Sequence, residues 1–345
     1  MKNLPSRDLD HILNHTRDFW EEVRGERIFI TGGTGFFGHW LLESFLWINQ
    51  RLKLNSRVTV LTRSPDTFIA KTPHLALADG VSLVPGDIRT FDFPEGMFSH
   101  VIHAATEANA KLNAENPLLI LNTIVDGTRR TLDFSLTCGA KKILLTSSGA
   151  VYGKQPPAIN HILEDYLGGP DPLEAGSAYG EGKRMAEMLC SLYAHQFGIE
   201  VKIARCFAFV GPYLPLDAHF AIGNFIRDGL NGDPIVVQGD GTPQRSYLYA
   251  ADLAIWLWTI LFRGQSCRPY NVGSEESITI RALAETVKQA FQPEPLVHVL
   301  KKVDPDRAVE HYVPSTKRAF NELNLTKIIG LEDAITRTIS WTKGE

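Results

Sequence analysis

Cysteine is scarce in this chain: there are 4 in 345 residues, at Cys138, Cys190, Cys206 and Cys267, with no CxxC pair among them. Such scatter argues against a disulfide framework and against a cysteine-built zinc site, and it fits a reducing cytoplasm. HExxH, a Walker loop and a nucleophile elbow are all missing, as is any surface interleaving basic and aromatic residues. The 11 histidines carry no ligand spacing, and His11 and His15 sit in an acidic leading segment, so no metal is expected. Charge of one sign is lacking too. Lys and Arg number 35 against 39 Asp and Glu, a net charge of -4, which gives no hint of nucleic-acid or anionic-membrane binding. The longest apolar run, Leu253 to Phe262, is too short for a bilayer. The first 25 residues carry Asp8, Asp10, Asp18, Glu21 and Glu22 and read as neither a signal nor a transit peptide. A soluble, cytoplasmic protein is the expectation.

What is present is an ordinary globular composition, 44% hydrophobic and 21% charged, in a chain long enough for two lobes. Leu9, Ile12, Leu13, Thr16, Phe19, Trp20 and Val23 fall at helical spacing and predict an amphipathic packing helix within residues 1–25. From Arg27 short apolar strands alternate with helical stretches. The strands are expected at Arg27–Thr31, Arg57–Leu61, Val81–Val84, His100–Ala104, Lys142–Thr146 and Val201–Ala204, the helices at Phe37–Asn49, Pro117–Cys138 and Tyr179–Phe197. Strands apolar on both faces, separated by helices, predict an α/β fold of Rossmann type, a doubly wound parallel sheet. Beyond Arg205 the elements shorten and Gly-Pro punctuation increases. A smaller α/β lobe at the carboxyl edge of the sheet is expected there. The predicted division is a dinucleotide-binding domain over 26–207, with 233–272 returning to it, and a substrate lobe over 208–232 and 273–345.

The first strand runs into Thr31-Gly32-Gly33-Thr34-Gly35-Phe36-Phe37-Gly38, a GxxGxxG turn opening a helix. Gly32 permits the tight turn, Gly35 lets the amides of Phe36 and Phe37 approach a pyrophosphate, and Gly38 allows close packing of helix on strand. A carboxylate for the ribose 2′-hydroxyl of NAD would follow the second strand, and Thr62-Arg63-Ser64 has none. Arg63 suits a 2′-phosphate instead, which favours NADP over NAD. After the third strand, Asp87 and Ile88 are placed for the adenine. Ala104 and Ala105 stand at the end of the fourth, at the edge where dinucleotides lie.

Ser148 ends the TSS run of the fifth strand, and Tyr179 and Lys183 stand at i and i+4 near the start of a helix, on one face. Serine can hold a reacting sugar oxygen, tyrosine can move its proton, and a neighbouring ammonium is expected to lower the phenol's pKa from its ordinary value near 10.

These segments, TGGTGFFG, GDIR, HAAT, TSSGAVYG, YGEGK, ARCFAFVGP and GDGTPQRSYLYAAD, run in order from Arg27 to about Arg318. They resemble the extended short-chain dehydrogenase/reductases of the nucleotide-sugar epimerase and dehydratase type. The resemblance implies bound NAD or NADP, a nucleoside-diphosphate sugar as substrate, and catalysis by Ser148, Tyr179 and Lys183. It puts Ser148, Gly149, Asn224 and Arg245 at the substrate, Arg245 on its phosphates. Asp217 and His219, in the loop from Gly211 to Phe220, either touch the nucleotide or shape that loop. The two long helices also resemble the family's dimer surface, which implies a homodimer.

Departures from the family pattern narrow the chemistry. Dehydratase relatives carry an Asp-Glu pair after the catalytic hydroxyl, where this chain has Gly149-Ala150, so a 4,6-dehydratase lacks its acid and base. Ala208 and Ile124 replace asparagines usual in the family. The leading expectation is an NADPH-dependent 4-keto-sugar reductase, with a 4-epimerase holding its cofactor tightly as the alternative. A non-catalytic dinucleotide-binding scaffold ranks last, because the trio is intact.

Overall fold

The computed structural model describes residues 2–106, 110–218 and 220–345. Its centre is a seven-stranded parallel sheet. The strands are β1 (Arg27–Thr31), β2 (Arg57–Thr62), β3 (Val81–Pro85), β4 (His100–His103), β5 (Lys142–Ser148), β6 (Glu200–Cys206) and β7 (Pro269–Val272), in the order β7-β6-β5-β4-β1-β2-β3. All six expected strands form, and β7 adds an edge. The order reverses between β1 and β4, so their carboxyl ends part and open the crevice in which doubly wound sheets hold ligands. Interior strands are buried on both faces, which is why their sequences read as continuous apolar runs.

The helices that matter for the site are α1 (Ser6–Thr16), α2 (Phe36–Leu52), α3 (Pro117–Thr137), α4 (Ala178–Phe197), α5 (Ala221–Asn231) and α6 (Ala250–Arg263). On one face of the sheet α3 and α4 pack over Phe29, Val101, Ile143, Leu145 and Val201. On the other, α2 and α6 share a core with Trp20, Trp40, Trp256 and Trp258, all at most 1% exposed. The run expected at Leu253–Phe262 is the body of α6, buried along its whole length as a core helix. No helix among the described residues is long and apolar enough to cross a membrane.

The leading segment packs as expected. Leu9, Ile12 and Leu13 of α1 join the α2 and α6 core. A polar latch seals it: Tyr249 Oη donates to Asp8 at 2.7 Å, Arg337 to the same carboxylate at 2.5 Å, and His11 meets Asp252 at 3.0 Å.

The smaller lobe is built from short strands. Ile235–Val237 pairs with Val297–Val299, and Gln244–Arg245 pairs with both Ile278–Thr279 and His311–Tyr312. Residues 235–245 therefore hydrogen-bond within this lobe, and the chain re-enters the sheet side through α6 and β7, later than position 233.

Candidate active site

Gly32 has φ +73, and a β-carbon there would lie 2.5 Å from the Ala104 carbonyl. Only glycine meets both demands, so β1 turns sharply against the end of β4 and brings Gly32 beside Ala104 and Ala105. At Gly38 a β-carbon would fall 2.3 Å from the Gly33 backbone, the close contact expected of the third glycine. Gly35 is the N-cap of α2, and a β-carbon on it would meet only the Gly32 carbonyl oxygen, at 3.5 Å. Among the described residues no side chain caps α2. Space thus stands open in front of uncapped amides at a helix start, with Phe36 and Phe37 as its first residues. That cradle fits a pyrophosphate.

Arg63 is exposed just past β2, and its charge reaches Asp87. Both carboxylate oxygens of Asp87 are engaged by Arg89, at 2.8 and 3.1 Å, and this pairing holds Asp87 below the usual carboxylate range. Ile88 turns inward against Gly127 of α3. His103, at the end of β4, bridges Thr31 at 2.8 Å and Thr128 at 3.0 Å. Burial keeps it neutral, down at about 3. It ties the β1 and β4 ends to α3 and so braces the crevice.

Ser148, 7% exposed, ends β5, and its Oγ accepts the Ala150 amide at 3.1 Å. Tyr179 approaches from the first turn of α4, and the nearby Ser148 hydroxyl acts to lower its titration. Lys183, one turn on, is 2% exposed. Its ammonium donates to Thr106 Oγ1 at 2.7 Å and to the Thr146 carbonyl at 2.8 Å, 6.0 Å from the Tyr179 ring centre. The structure thus brings the three expected residues together.

The expected pKa effect runs the other way. Burial pushes the Tyr179 phenol up to about 12, while burial pulls Lys183 down to about 8. Both shifts follow from lost water, and the Lys183 charge is not among the causes that move the phenol.

The ends of β5 and β6 are coupled to α4 through a charge pair invisible to spacing rules. Glu187, another turn along the Tyr179–Lys183 face, accepts from Ser147 Oγ at 2.5 Å and from Arg205 of β6 at 3.0 and 2.7 Å. Arg205 also donates to Tyr152 Oη and to the Glu164 carbonyl. A bidentate pair of this kind fixes α4 on the sheet.

A cleft of about 660 Å³ opens over Tyr179 and is also lined by Lys154, Asp171, Glu174 and Tyr312. Tyr312 escaped the sequence reading. Its ring lies 4.7 Å from that of Phe207, and Arg245 stands 5.9 Å from its centre. Arg245, half-buried, pairs with Glu310 at 3.6 Å and with its neighbour's carbonyl. Asn224 on α5 lies in the smaller lobe and accepts from Arg227 at 3.4 Å. Asp217 is exposed on its loop, and His219 lies outside the described residues. Ile124 packs against Gly182 of α4, an apolar seam where an asparagine was missed. Among the described residues no group of three or more His, Cys, Asp or Glu is placed to hold a metal ion.

Residues 28–273 match the profile described as "NAD dependent epimerase/dehydratase family". UDP-glucuronic acid decarboxylase 6 of Arabidopsis thaliana is 32% identical over 280 residues, 81% of this chain and 78% of that protein. UDP-glucuronic acid decarboxylase 5 of the same plant is 34% identical over 77% of this chain and 75% of its own length. Among solved structures, the UDP-glucuronic acid 4-epimerase of Bacillus cereus, in complex with UDP-glucuronic acid and NAD, superposes with a TM-score of 0.76. It is 21% identical, over 92% of this chain and 99% of that one.

Proposed function

The chain is an enzyme of the NAD dependent epimerase/dehydratase family, with NAD or NADP as cofactor, and on that footing we propose that it inverts C4 of a nucleotide-linked hexose. The observation that carries the reading is that Tyr179 lines the cleft, with Ser148 near it at the end of β5 and Lys183 buried one turn further along α4.

The glycine turn and the α2 amides would hold the pyrophosphate, with Ala104 and Ala105 beside it. Arg63 would meet a 2′-phosphate, and Asp87 and Ile88 would border the adenine. When bound, the dinucleotide supplies hydride acceptance and return at C4. Ser148 holds O4 while Tyr179 takes its proton as C4 becomes a ketone. The keto sugar turns over in the cleft, and Tyr179 returns the proton to O4. A phenol raised to about 12 gives a strongly basic phenolate for taking the O4 proton, and only a small fraction of the protein carries that phenolate at neutral pH. Arg245 would hold the diphosphate, with Asn224, Asp217 and His219 toward the nucleotide.

The reductase expected from Arg63 draws no specific support from the relatives, whose names are those of decarboxylases and epimerases. The epimerase weighed beside it agrees with them better. A second reading is favoured by the curated relatives: once C4 is a ketone, a C6 carboxylate is β to it and can leave as CO2. Lys154 at the rim of the cleft is a cation such a carboxylate could meet.

Met185, Met188 and Leu192 are 48%, 56% and 50% exposed along the outer face of α4. With α3 beside it, this stripe supports the homodimer as part of the same proposal. Its measure is the mass of the protein in sedimentation.

The deciding experiment purifies the protein, reads any retained nicotinamide by absorbance, and incubates it with nucleotide-linked hexoses, hexuronates and 4-keto sugars. C4 inversion without added cofactor is the expected result, CO2 release the second reading, and consumption of added NADPH the reductase. Tyr179→Phe retaining full turnover would sink all three.

A further inference from the structure

Tyr213 has φ +70, a left-handed backbone that a bulky side chain adopts only where its surroundings hold it there. Those surroundings lie along α2. Phe209 packs edge-on against Phe37 at 5.2 Å, the Pro212 carbonyl accepts from Trp40 Nε1 at 2.9 Å, and the Tyr213 ring stacks on His39 at 4.2 Å and 21°. The Tyr213 hydroxyl lies 2.5 Å from Glu43 Oε1 and 2.7 Å from the Lys2 carbonyl oxygen. The opening turns of α2 thus grip residues 209–213 almost residue by residue. His39 also donates from Nδ1 to the carbonyl of Gly35, the glycine that caps this helix, at 2.7 Å.

The grip takes in both ends of the chain. The Leu4 amide donates to Glu43 Oε2 at 2.6 Å, Trp341 lies 4.7 Å from the Tyr213 ring, and Trp341 Nε1 donates to the Asn3 carbonyl at 3.0 Å. In the other direction Tyr213 leads to the substrate lobe. The Leu214 amide donates back to the Gly211 carbonyl at 3.1 Å, and residues 214–216 then form a seat for α5. A β-carbon on Gly223 would lie 2.9 Å from the Pro215 carbonyl oxygen, and Arg227 donates to the Leu216 carbonyl at 3.5 Å. Asn224 stands on that helix, and Asp217 follows the seat directly.

We propose that Tyr213 is a positioning residue for substrate binding, whose side chain fastens residues 211–216 to α2 and to the amino-terminal residues and so sets where Asp217 and Asn224 stand toward the nucleotide sugar. A left-handed tyrosine is unfavourable on its own, so the contacts of its ring and hydroxyl decide the conformation of the turn. Without them the turn relaxes toward ordinary backbone angles, and the seat of α5 moves with it. The helix that holds Tyr213 is the one that opens at the glycine turn, so the substrate lobe is registered on the cofactor cradle. Ser148, Tyr179 and Lys183 lie on other elements. The effect therefore falls on the affinity for the sugar and not on the chemical step.

This inference rests on the proposed sugar chemistry, and the test keeps the two apart. The full-length wild type, Y213F, Y213G, E43M and the Y213F/E43M double variant are compared on the substrate that the wild type turns over. Y213F is expected to raise KM about five-fold, the scale of one lost hydrogen bond, with kcat within about two-fold. In Y213G the backbone angle is freely adopted but the ring contacts are lost as well, and KM should rise to about thirty-fold. Retained nicotinamide stays at the wild-type level in both. The KM increases of Y213F and E43M combine to less than their product, because the two residues share a hydrogen bond. Y213F keeps the ring in place and carries the test if Y213G folds poorly. A lowered melting temperature with KM within about two-fold would reduce Tyr213 to packing and overturn the proposal, as would a kcat loss at unchanged KM. Absence of any nucleotide-sugar turnover by the wild type overturns the proposed function itself, and this inference with it. Turnover by the wild type with an unaltered KM in Y213F and Y213G overturns the inference alone.

Discussion

Lys183 stands one helical turn behind Tyr179, 6.0 Å from its ring centre, and spends its hydrogen bonds on Thr106 Oγ1 and the Thr146 carbonyl. The ammonium is thus anchored to the ends of β4 and β5. Its titration, down at about 8, is set by burial, not by the phenol.

Activity that depends on the Lys183 charge has a defined pH window. Burial lowers the folded pKa, so the ammonium is present below about 8 and lost as pH rises through it. A plot of kcat/KM against pH should be level near neutrality and fall through about 8. In K183R the cation persists to beyond about pH 12, so this limb should vanish. A limb at the same pH in both proteins would assign it to another group.

Thr106 is the side-chain half of the ammonium's anchor. T106V keeps the shape and removes the acceptor, leaving a buried donor unmet, at a cost of about 1 kcal/mol or more. The expected loss is roughly five-fold or greater in kcat, with the fold unchanged by circular dichroism. Unaltered kcat would show that the Thr146 carbonyl suffices.

Arg205 and Glu187 have side chains only 14% and 12% exposed. R205M strands the carboxylate, and breaking a buried pair in this way costs about 3 kcal/mol. The double variant R205M/E187M removes both charges and should lose less. Urea melts of the three proteins measure the difference. If the double variant is the least stable, the pair matters through packing and not through charge.

The 2′-phosphate reading of Arg63 is tested by R63S. The Kd for NADP should rise about ten-fold while that for NAD moves little, since only the former carries a phosphate for the guanidinium. Equal changes for both dinucleotides, read by fluorescence titration, would remove the preference for NADP.

Much of the architecture was legible before any coordinates. The apolar strands and the long helices were marked by period, because burial on both faces leaves no polar positions in a parallel strand. Gly32 and Gly38 were legible because glycine is the only residue without a β-carbon, and the backbone contacts at both are too close for one. Other parts carried no local mark. β7 is four residues long and follows a loop, so nothing in Pro269–Val272 distinguished an edge strand from a turn. Glu187 could have been suspected from its place one turn beyond Lys183, but its partner Arg205 sits on another strand, and no spacing rule links them.

The sequence by itself determined that a glycine turn opens a dinucleotide crevice, that Ser148, Tyr179 and Lys183 share a site, and that the acidic pair of a dehydratase is missing. Each follows from residue type at short range, where helix and strand periodicity fix which side chains are neighbours. Only the tertiary structure decided that Tyr312 comes up beside Gly149 from the far lobe, and that burial moves the Tyr179 and Lys183 titrations in opposite directions. Both depend on which segments burial brings together across more than a hundred residues of chain, and on how much water that burial removes from the charges.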